Sequence, residues 1–391
     1  MRLSVAFAAL ATFVSSVQAT VDEWGQCGGI SYSGYSQCQK GSASVTTTST
    51  TPTWDTWSIS ETSYATTTWT SPSPSPTDAC PNRTKFKYFG VNQSSAEFGD
   101  GIVPGILDKT YTWPSPSSID FFLSKGMNSF RIPFMMERLA PPTTGLTGAF
   151  DSAYLQGLKT IVSYITSKGG YAAIDPHNYA RYEGSVITNY AAFQTFWQHL
   201  AQEFIHDPNV IFDLNNEPYG IPATDAASLM QAGINGVRAS GATQLILVEG
   251  TFWTGAGSWV SSGNAAAFIG ITDPLNNFAF EMHQYLNDDG SGATPTCVSP
   301  TIGVERLAAA SAWLVANGKK GVIGEMGGAS NDVCIAAIKG AICHMQQQGG
   351  AWLGFFFWAA GPWWGDYFLS MEPPSGATVQ RVLPEALLPY V

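Results

Sequence analysis

The chain has 391 residues with 18 basic against 29 acidic side chains, and no Lys/Arg cluster that could neutralise a row of phosphates, which argues against nucleic acid as a partner. Low charge combined with 13 Trp, 15 Tyr and 22 Phe suits a neutral ligand with flat apolar faces, and sugars fit because their axial C–H faces pack on aromatic rings. Beyond the N-terminal leader no segment supplies the roughly 20 continuous apolar residues of a membrane span, so no membrane partner is expected.

Arg2, the apolar stretch from Leu3 to Val14 and the small-residue pattern ending at Ala19 predict a signal peptide over residues 1–19, and hence a secreted, extracellular protein. Residues 20–41 form a short cysteine-containing part. Residues 42–79 are Ser/Thr-rich and end in "SPSPSP", a composition that cannot bury a core and reads as an extended, O-glycosylated linker. Asn82-Arg83-Thr84, just past it, is a candidate N-glycan site, whereas Asn92-Gln93-Ser94 falls at a strand end and is expected to stay unmodified. Six cysteines in an exported chain permit disulfides and match no zinc spacing. Cys297 and Cys334 are the preferred pair; Cys27, Cys38, Cys80 and Cys343 are left unassigned.

Residues 80–391 repeat one unit: an amphipathic segment, a glycine, then a short strand. "LSKGMNSFRIPF", "TSKGGYAAIDPH", "RASGATQLILVEG", "VANGKKGVIGEMG" and "QQQGGAWLGFFFWAAG" all follow it, with glycine at the helix end because it accepts the left-handed conformation there. Leu155, Leu158, Val162 and Ile165 make one helical stripe. Eight strands are predicted, at 87–92, 129–134, 171–177, 210–217, 244–250, 278–285, 321–326 and 352–360. This α/β alternation predicts a (β/α)₈ TIM barrel; the rival doubly wound sheet is disfavoured because no G-x-G-x-x-G follows the first strand.

In such a barrel the chemistry lies at the carboxyl ends of the strands. Those positions carry Arg131, His177, Asn178, Asn216, Glu217, His283, Tyr285, Glu325 and Trp358. Glu217 and Glu325, on the fourth and seventh strands, would face each other across the mouth, one kept protonated by burial and the other held ionised by Arg and His. Paired carboxylates of this kind are what glycoside hydrolysis needs, one protonating the leaving oxygen while the other attacks the sugar. A metal site from His177, Glu217, His283 and Glu325 is the rival chemistry, but no close ligand pair such as H-E-x-x-H seeds it, and no metal or cofactor is expected. Asp175, Asp213, Glu249 and Glu281 lie inside predicted strands, where a salt bridge or an interior hydrogen bond is the expected role.

The motifs "DPHNYARYEG", "LNNEP", "EMHQYLNDDGSG", "GVIGEMGG" and "FFFWAAGPWWGDY" resemble those of secreted fungal cellulases of glycoside hydrolase family 5, over essentially all of Lys85 to Pro374. The resemblance implies a retaining endo-attack on β-1,4-glucan, with Glu217 as acid/base and Glu325 as nucleophile. It further implies that Asn216 bonds the sugar 2-hydroxyl, Arg131 and Tyr285 hold the nucleophile, His177 and His283 line the central subsite, and Trp358 stacks under the sugar. Departures from the family pattern are Tyr219 where histidine is common, Gln93 for Glu, and Met326 for Phe; none removes a catalytic group.

"EWGQCGGISYSGYSQC", residues 23–38, resembles the start of the fungal cellulose-binding module of family 1. Ser44 stands where a third cysteine is expected, so the remnant should not fold alone and should bind crystalline cellulose weakly or not at all. A retained intron in the gene sequence would give the same appearance. The leading expectation is a monomeric secreted endo-β-1,4-glucanase acting on a β-1,4-linked polysaccharide. An endo-β-1,4-mannanase is the nearest alternative, and a catalytically silent carbohydrate-binding protein is disfavoured by the presence of both Glu217 and Glu325.

Overall fold

A computed structural model describes residues 80–391; the expected signal peptide, partial binding module and linker lie outside the described residues, as do Cys27 and Cys38. The strands of the described residues are β1 (Tyr88–Gln93), β2 (Ser129–Phe134), β3 (Tyr171–Pro176), β4 (Arg181–Tyr182), β5 (Ser185–Val186), β6 (Val210–Asp213), β7 (Ile246–Glu249), β8 (Phe278–His283), β9 (Gly321–Met326) and β10 (Trp352–Ala360). The α-helices are α1 (Pro116–Ser124), α2 (Met136–Leu139), α3 (Ser152–Ser167), α4 (Tyr190–Phe204), α5 (Ala223–Ala239), α6 (Asn264–Phe268), α7 (Ile302–Ala316) and α8 (Asp332–Gln346). Apart from the β4–β5 hairpin, the strands are all parallel and close in the order β1-β10-β9-β8-β7-β6-β3-β2. Closure leaves no edge strand, which rules out the doubly wound alternative.

Local sequence explains the outer ring. In α3 the Asp151 carboxylate caps the first turn by accepting from the Tyr154 amide, and Leu158, Val162 and Ile165 of the expected stripe are buried. Leu155 is only half-buried; Tyr154 and Ile161 complete the apolar face instead. The glycines expected at the five helix-to-strand joints, Gly126, Gly169, Gly241, Gly318 and Gly349, all stand at positive φ.

Four strands are shorter than expected at their carboxyl ends. β7 stops one residue early, at Glu249, and β3 stops at Pro176, β6 at Asp213 and β8 at His283, so His177, Glu217 and Tyr285 stand in the loops just beyond rather than within strands. For Glu217 the cause is local: after Leu214 donates to the Leu247 carbonyl, the chain leaves the ladder, and Glu217 itself adopts φ 45°.

Inside the barrel, Tyr88, Ala173, Ile211, Leu247, Ala279, Val322 and Phe356 meet as one apolar layer contributed by seven strands. Side chains alternate across a strand, so two residues further along each strand the inward positions become Asp175, Asp213, Glu249 and Glu281, with Arg131 inward on β2. The interior is therefore apolar at its base and ionic toward its mouth.

Cys297–Cys334 forms as expected, and Cys80 pairs with Cys343. The second bridge ties the start of the domain to the carboxyl end of α8, where Thr84 N–H also donates to the Gln346 carbonyl at 2.7 Å. Lys85 Nζ reaches the Val391 carbonyl at 2.9 Å, so both ends of the described chain sit on the face opposite the barrel mouth.

Asn82 is exposed, whereas Asn92 is fully buried and uses its side chain to bond Gly324, Phe357 and Arg131. Expressed in a glycosylating, secreting host, the protein should lose one endoglycosidase-sensitive step in mass on Asn82→Gln, and mass spectrometry should find Asn92 unmodified.

Candidate active site

Arg131, completely buried on β2, organises the mouth. Its Nη1 donates to Glu325 Oε1 at 2.9 Å and to Asn92 Oδ1 at 3.1 Å. Nη2 donates to Asn216 Oδ1 at 2.9 Å and lies 3.0 Å from Asp175 Oδ2 and 3.3 Å from Glu249 Oε1. Nε meets Asp213 Oδ2 at 2.7 Å and Glu281 Oε1 at 3.1 Å. The four strand carboxylates set aside from the catalytic set thus have the interior ion-pair role expected of them.

Glu325, near the end of β9, is gripped on both oxygens: Arg131 holds Oε1, and the Tyr285 hydroxyl donates to Oε2 at 2.6 Å. Glu217 Oε1 faces His283 Nδ1 at 2.8 Å. One oxygen each of Glu217 and Glu325 and a ring nitrogen of His283 all lie within 4.8 Å of one another. The two glutamates are thereby brought together.

Their environments differ. Burial raises the Glu217 carboxyl, the hydrogen bond from His283 opposes this, and the neighbouring Glu325 pushes it up further; the net shift is upward. Burial alone would lower His283, but Glu325, Glu249 and the hydrogen bonds to Glu217 and Glu281 outweigh it and hold the imidazole well above its ordinary value. The facing carboxylates favour the charged imidazole, in which both ring nitrogens donate, with Nδ1 2.8 Å from Glu217 Oε1 and Nε2 3.4 Å from Glu281 Oε1. The trios Glu217–His283–Glu325 and Glu249–Glu281–His283 are close enough to grip a cation, though a charged imidazole would have to give up a proton to become a ligand.

His177 Nδ1 bonds Asp175 Oδ2 at 2.7 Å and its ring stacks on Trp358, centroids 5.6 Å apart and planes 15° apart. Asn216 gives its oxygen to Arg131, while its buried Nδ2 has no protein partner. Asn178 departs from the group: its side chain bonds Glu137 and the Met136 amide at the base of a loop. All eight of the other expected site residues, Arg131, His177, Asn216, Glu217, His283, Tyr285, Glu325 and Trp358, converge on the mouth.

Two features escaped the sequence. Glu249 accepts the Glu217 amide N–H at 2.7 Å; inward parity counted from Leu247 would have turned its side chain into the barrel, but only the left-handed turn at Glu217 sets that amide against it. The second is a stack beside Glu217, in which Tyr219 lies face to face with Trp253, 5.1 Å and 6° apart, and the Arg181 guanidinium sits 3.8 Å from the centre of the Tyr219 ring. Trp253 is 39% exposed, and Phe252, Trp253 and Thr254 all stand at positive φ, which brings the Trp253 amide to the Pro218 carbonyl at 3.1 Å. No local sequence pattern announces three successive left-handed residues.

A closed parallel barrel that presents two carboxyls on one imidazole at its mouth defines a two-carboxylate glycoside hydrolase. The chain belongs to the cellulase family, glycosyl hydrolase family 5, which matches residues 83–361. It is 47% identical over 383 residues to endoglucanase gh5-1 of Neurospora crassa, covering 93% of this chain and 94% of that protein. Endoglucanase 3 of Humicola insolens is 45% identical over 376 residues, with the same coverage. Among solved structures, XacCel5A in complex with cellopentaose superposes with a TM-score of 0.74 at 41% identity, covering 77% of this chain and 99% of that one. The endo-β-1,4-glucanase Xac0029 of Xanthomonas axonopodis pv. citri gives 0.73 at 39%, covering 78% and 100%.

The buried groups imply a pH dependence of stability. Asp213, Glu249 and Glu217 are raised chiefly by burial; His177 and His283 are raised by facing carboxylates, Asp175 foremost at His177. A group raised on folding stabilises fully below its unfolded value, and that stability is lost as pH climbs through the folded value. For these carboxyls the loss starts above about pH 4, and for the imidazoles above about pH 6.5. The melting temperature should therefore fall between about pH 5 and about pH 8, and a calorimetric scan that rose over this window would contradict the assignment.

Proposed function

We propose that the protein is a secreted retaining endo-β-1,4-glucanase in which Glu217 is the acid/base and Glu325 the nucleophile. The observation that carries this is the short separation of the two carboxyls. Retaining hydrolysis needs them about 5 Å apart, whereas inversion needs room for a water, at about 6.5 Å or more. Here their nearest oxygens lie within 4.8 Å. The chain is an endo-β-1,4-glucanase by its family and relatives, and the mannanase and silent-binder readings gain nothing from those relatives.

In the first step Glu325 attacks the anomeric carbon while Glu217 gives its proton to the glycosidic oxygen, so the leaving chain departs as an alcohol and a glycosyl ester remains. Arg131 and Tyr285 suit Glu325 to attack, because two donors keep its charge localised and aimed. The raised Glu217 carboxyl is suited to give a proton at mildly acid pH. In the second step Glu217, now ionised, takes a proton from water, which attacks the anomeric carbon and breaks its bond to the Glu325 oxygen, freeing Glu325 as a carboxylate and the sugar as a hemiacetal. The unpartnered Asn216 Nδ2 is available to the sugar 2-hydroxyl, and the Trp358 ring, fixed by His177, supplies a face for the sugar. The leader at residues 1–19, together with two disulfides in the domain, supports secretion.

Reducing-end release from soluble β-1,4-glucan, mixed-linkage glucan and β-mannan, with wild type and variants in parallel, tests the reading. Activity should appear on the glucans and vanish in Glu325→Gln. Glu217→Gln should lose about 10²- to 10⁴-fold on natural glycosides, since general acid catalysis contributes on that scale. Activity confined to mannan would keep the mechanism and replace the substrate, and a Glu325→Gln enzyme with near-normal turnover would overturn the roles.

A further inference from the structure

Glu249 takes no part in the two steps above, yet it is fully buried at the end of β7 and its two oxygens reach both halves of the site. Oε2 accepts the Glu217 amide N–H at 2.7 Å; Oε1 lies 3.3 Å from Arg131 Nη2 and 3.9 Å from His283 Nε2. The neighbouring amides of the turn go to backbone: Leu214 N–H to the Leu247 carbonyl and Asn216 N–H to the Pro176 carbonyl. At Glu217 the chain enters the left-handed region, φ 45°, which a non-glycine residue holds only when its surroundings fix it. Among the described residues, it is Glu249 and not Asp213 or Glu281, which crowd the same guanidinium, that accepts the Glu217 amide.

We propose that Glu249 is a positioning residue for proton delivery: its carboxyl oxygen pins the Glu217 amide and so aims the Glu217 side chain at the glycosidic oxygen. The proposal rests on Glu217 being the acid/base. It requires an acceptor oxygen at the right reach and does not require a charge. Burial, opposed by His283 and Arg131 and reinforced by Glu281, raises the Glu249 carboxyl, and the acceptor on the Glu217 amide is an oxygen, whichever form the carboxyl takes.

One shortened and one isosteric variant separate reach from charge. Glu249→Asp keeps a carboxyl beside Arg131 but withdraws the oxygen from the Glu217 amide; Glu249→Gln keeps the oxygen in place and removes the ionisable group. Each is compared with wild type and Glu217→Gln by kcat/KM on cellotetraose, whose leaving group needs a proton, and on 2,4-dinitrophenyl β-cellobioside, whose leaving group does not. Glu249→Asp should lose about 10- to 100-fold on cellotetraose and no more than about threefold on the activated glycoside, as expected when only proton transfer is misaligned. Glu249→Gln should keep the wild-type ratio between the two substrates. A purely structural role would lower both substrates together in Glu249→Asp, and a role for the charge would make Glu249→Gln discriminate between them; either result overturns the proposal, as does an unaffected Glu249→Asp. If Glu249→Asp does not fold, the substrate ratio of Glu249→Gln still decides between reach and charge. Should Glu217→Gln itself show no dependence on the leaving group, the acid/base assignment fails first; should it show that dependence while Glu249→Asp does not, only the Glu249 role fails.

Discussion

One guanidinium holds this barrel mouth together. Arg131 touches five carboxyl groups, Asp175, Asp213, Glu249, Glu281 and Glu325, and three of them, Asp175, Glu249 and Glu281, carry its influence on to other parts of the site. Through Asp175 it fixes His177, and through His177 the plane of Trp358. Glu325 and Asn216 it holds directly, while Glu249 carries its influence to the backbone of Glu217. A guanidinium suits this hub because its planar fork stays charged when buried and offers five donors in fixed directions.

A single cation does not balance five buried acids, and the crowding favours protonated forms. Burial and mutual repulsion raise the Asp213 and Glu249 carboxyls, and the facing carboxylates raise His283 against the effect of its own burial. Glu217, the proposed acid/base, thus stands at the edge of a region that favours protonation, while Glu325, the proposed nucleophile, is gripped on both oxygens by Arg131 and Tyr285. Two chemically identical side chains are thereby given different surroundings.

Much of this was legible in the sequence because parallel barrels are locally repetitive. Each glycine at a helix end and each short apolar run announced its own joint, which sufficed for eight strands, although His177, Glu217 and Tyr285, expected at the strand ends, stand in the loops just beyond them. The pairing of Cys80 with Cys343 was not legible, since 263 residues separate them and closure of the barrel brings them together. Nor were the partners of the interior acids. Glu249 looked like one more strand carboxylate until the left-handed turn at Glu217 placed an amide against it. The Arg181–Tyr219–Trp253 stack was hidden for a similar reason, because three segments distant in sequence meet through backbone geometry that no periodicity encodes.

The bridge between Cys80 and α8 has a mechanical consequence. Tension arriving ahead of Cys80 meets a covalent junction there and is handed to α8 on the outer ring, before it reaches residues 81–87, which are themselves tied down through Thr84, Lys85 and Lys87. β1, which carries Asn92 against Arg131, is thereby taken out of the load path. Since the junction lies on the face away from the mouth, a tug on the leading segment loads the rear of the barrel and leaves the alignment of its catalytic groups undisturbed.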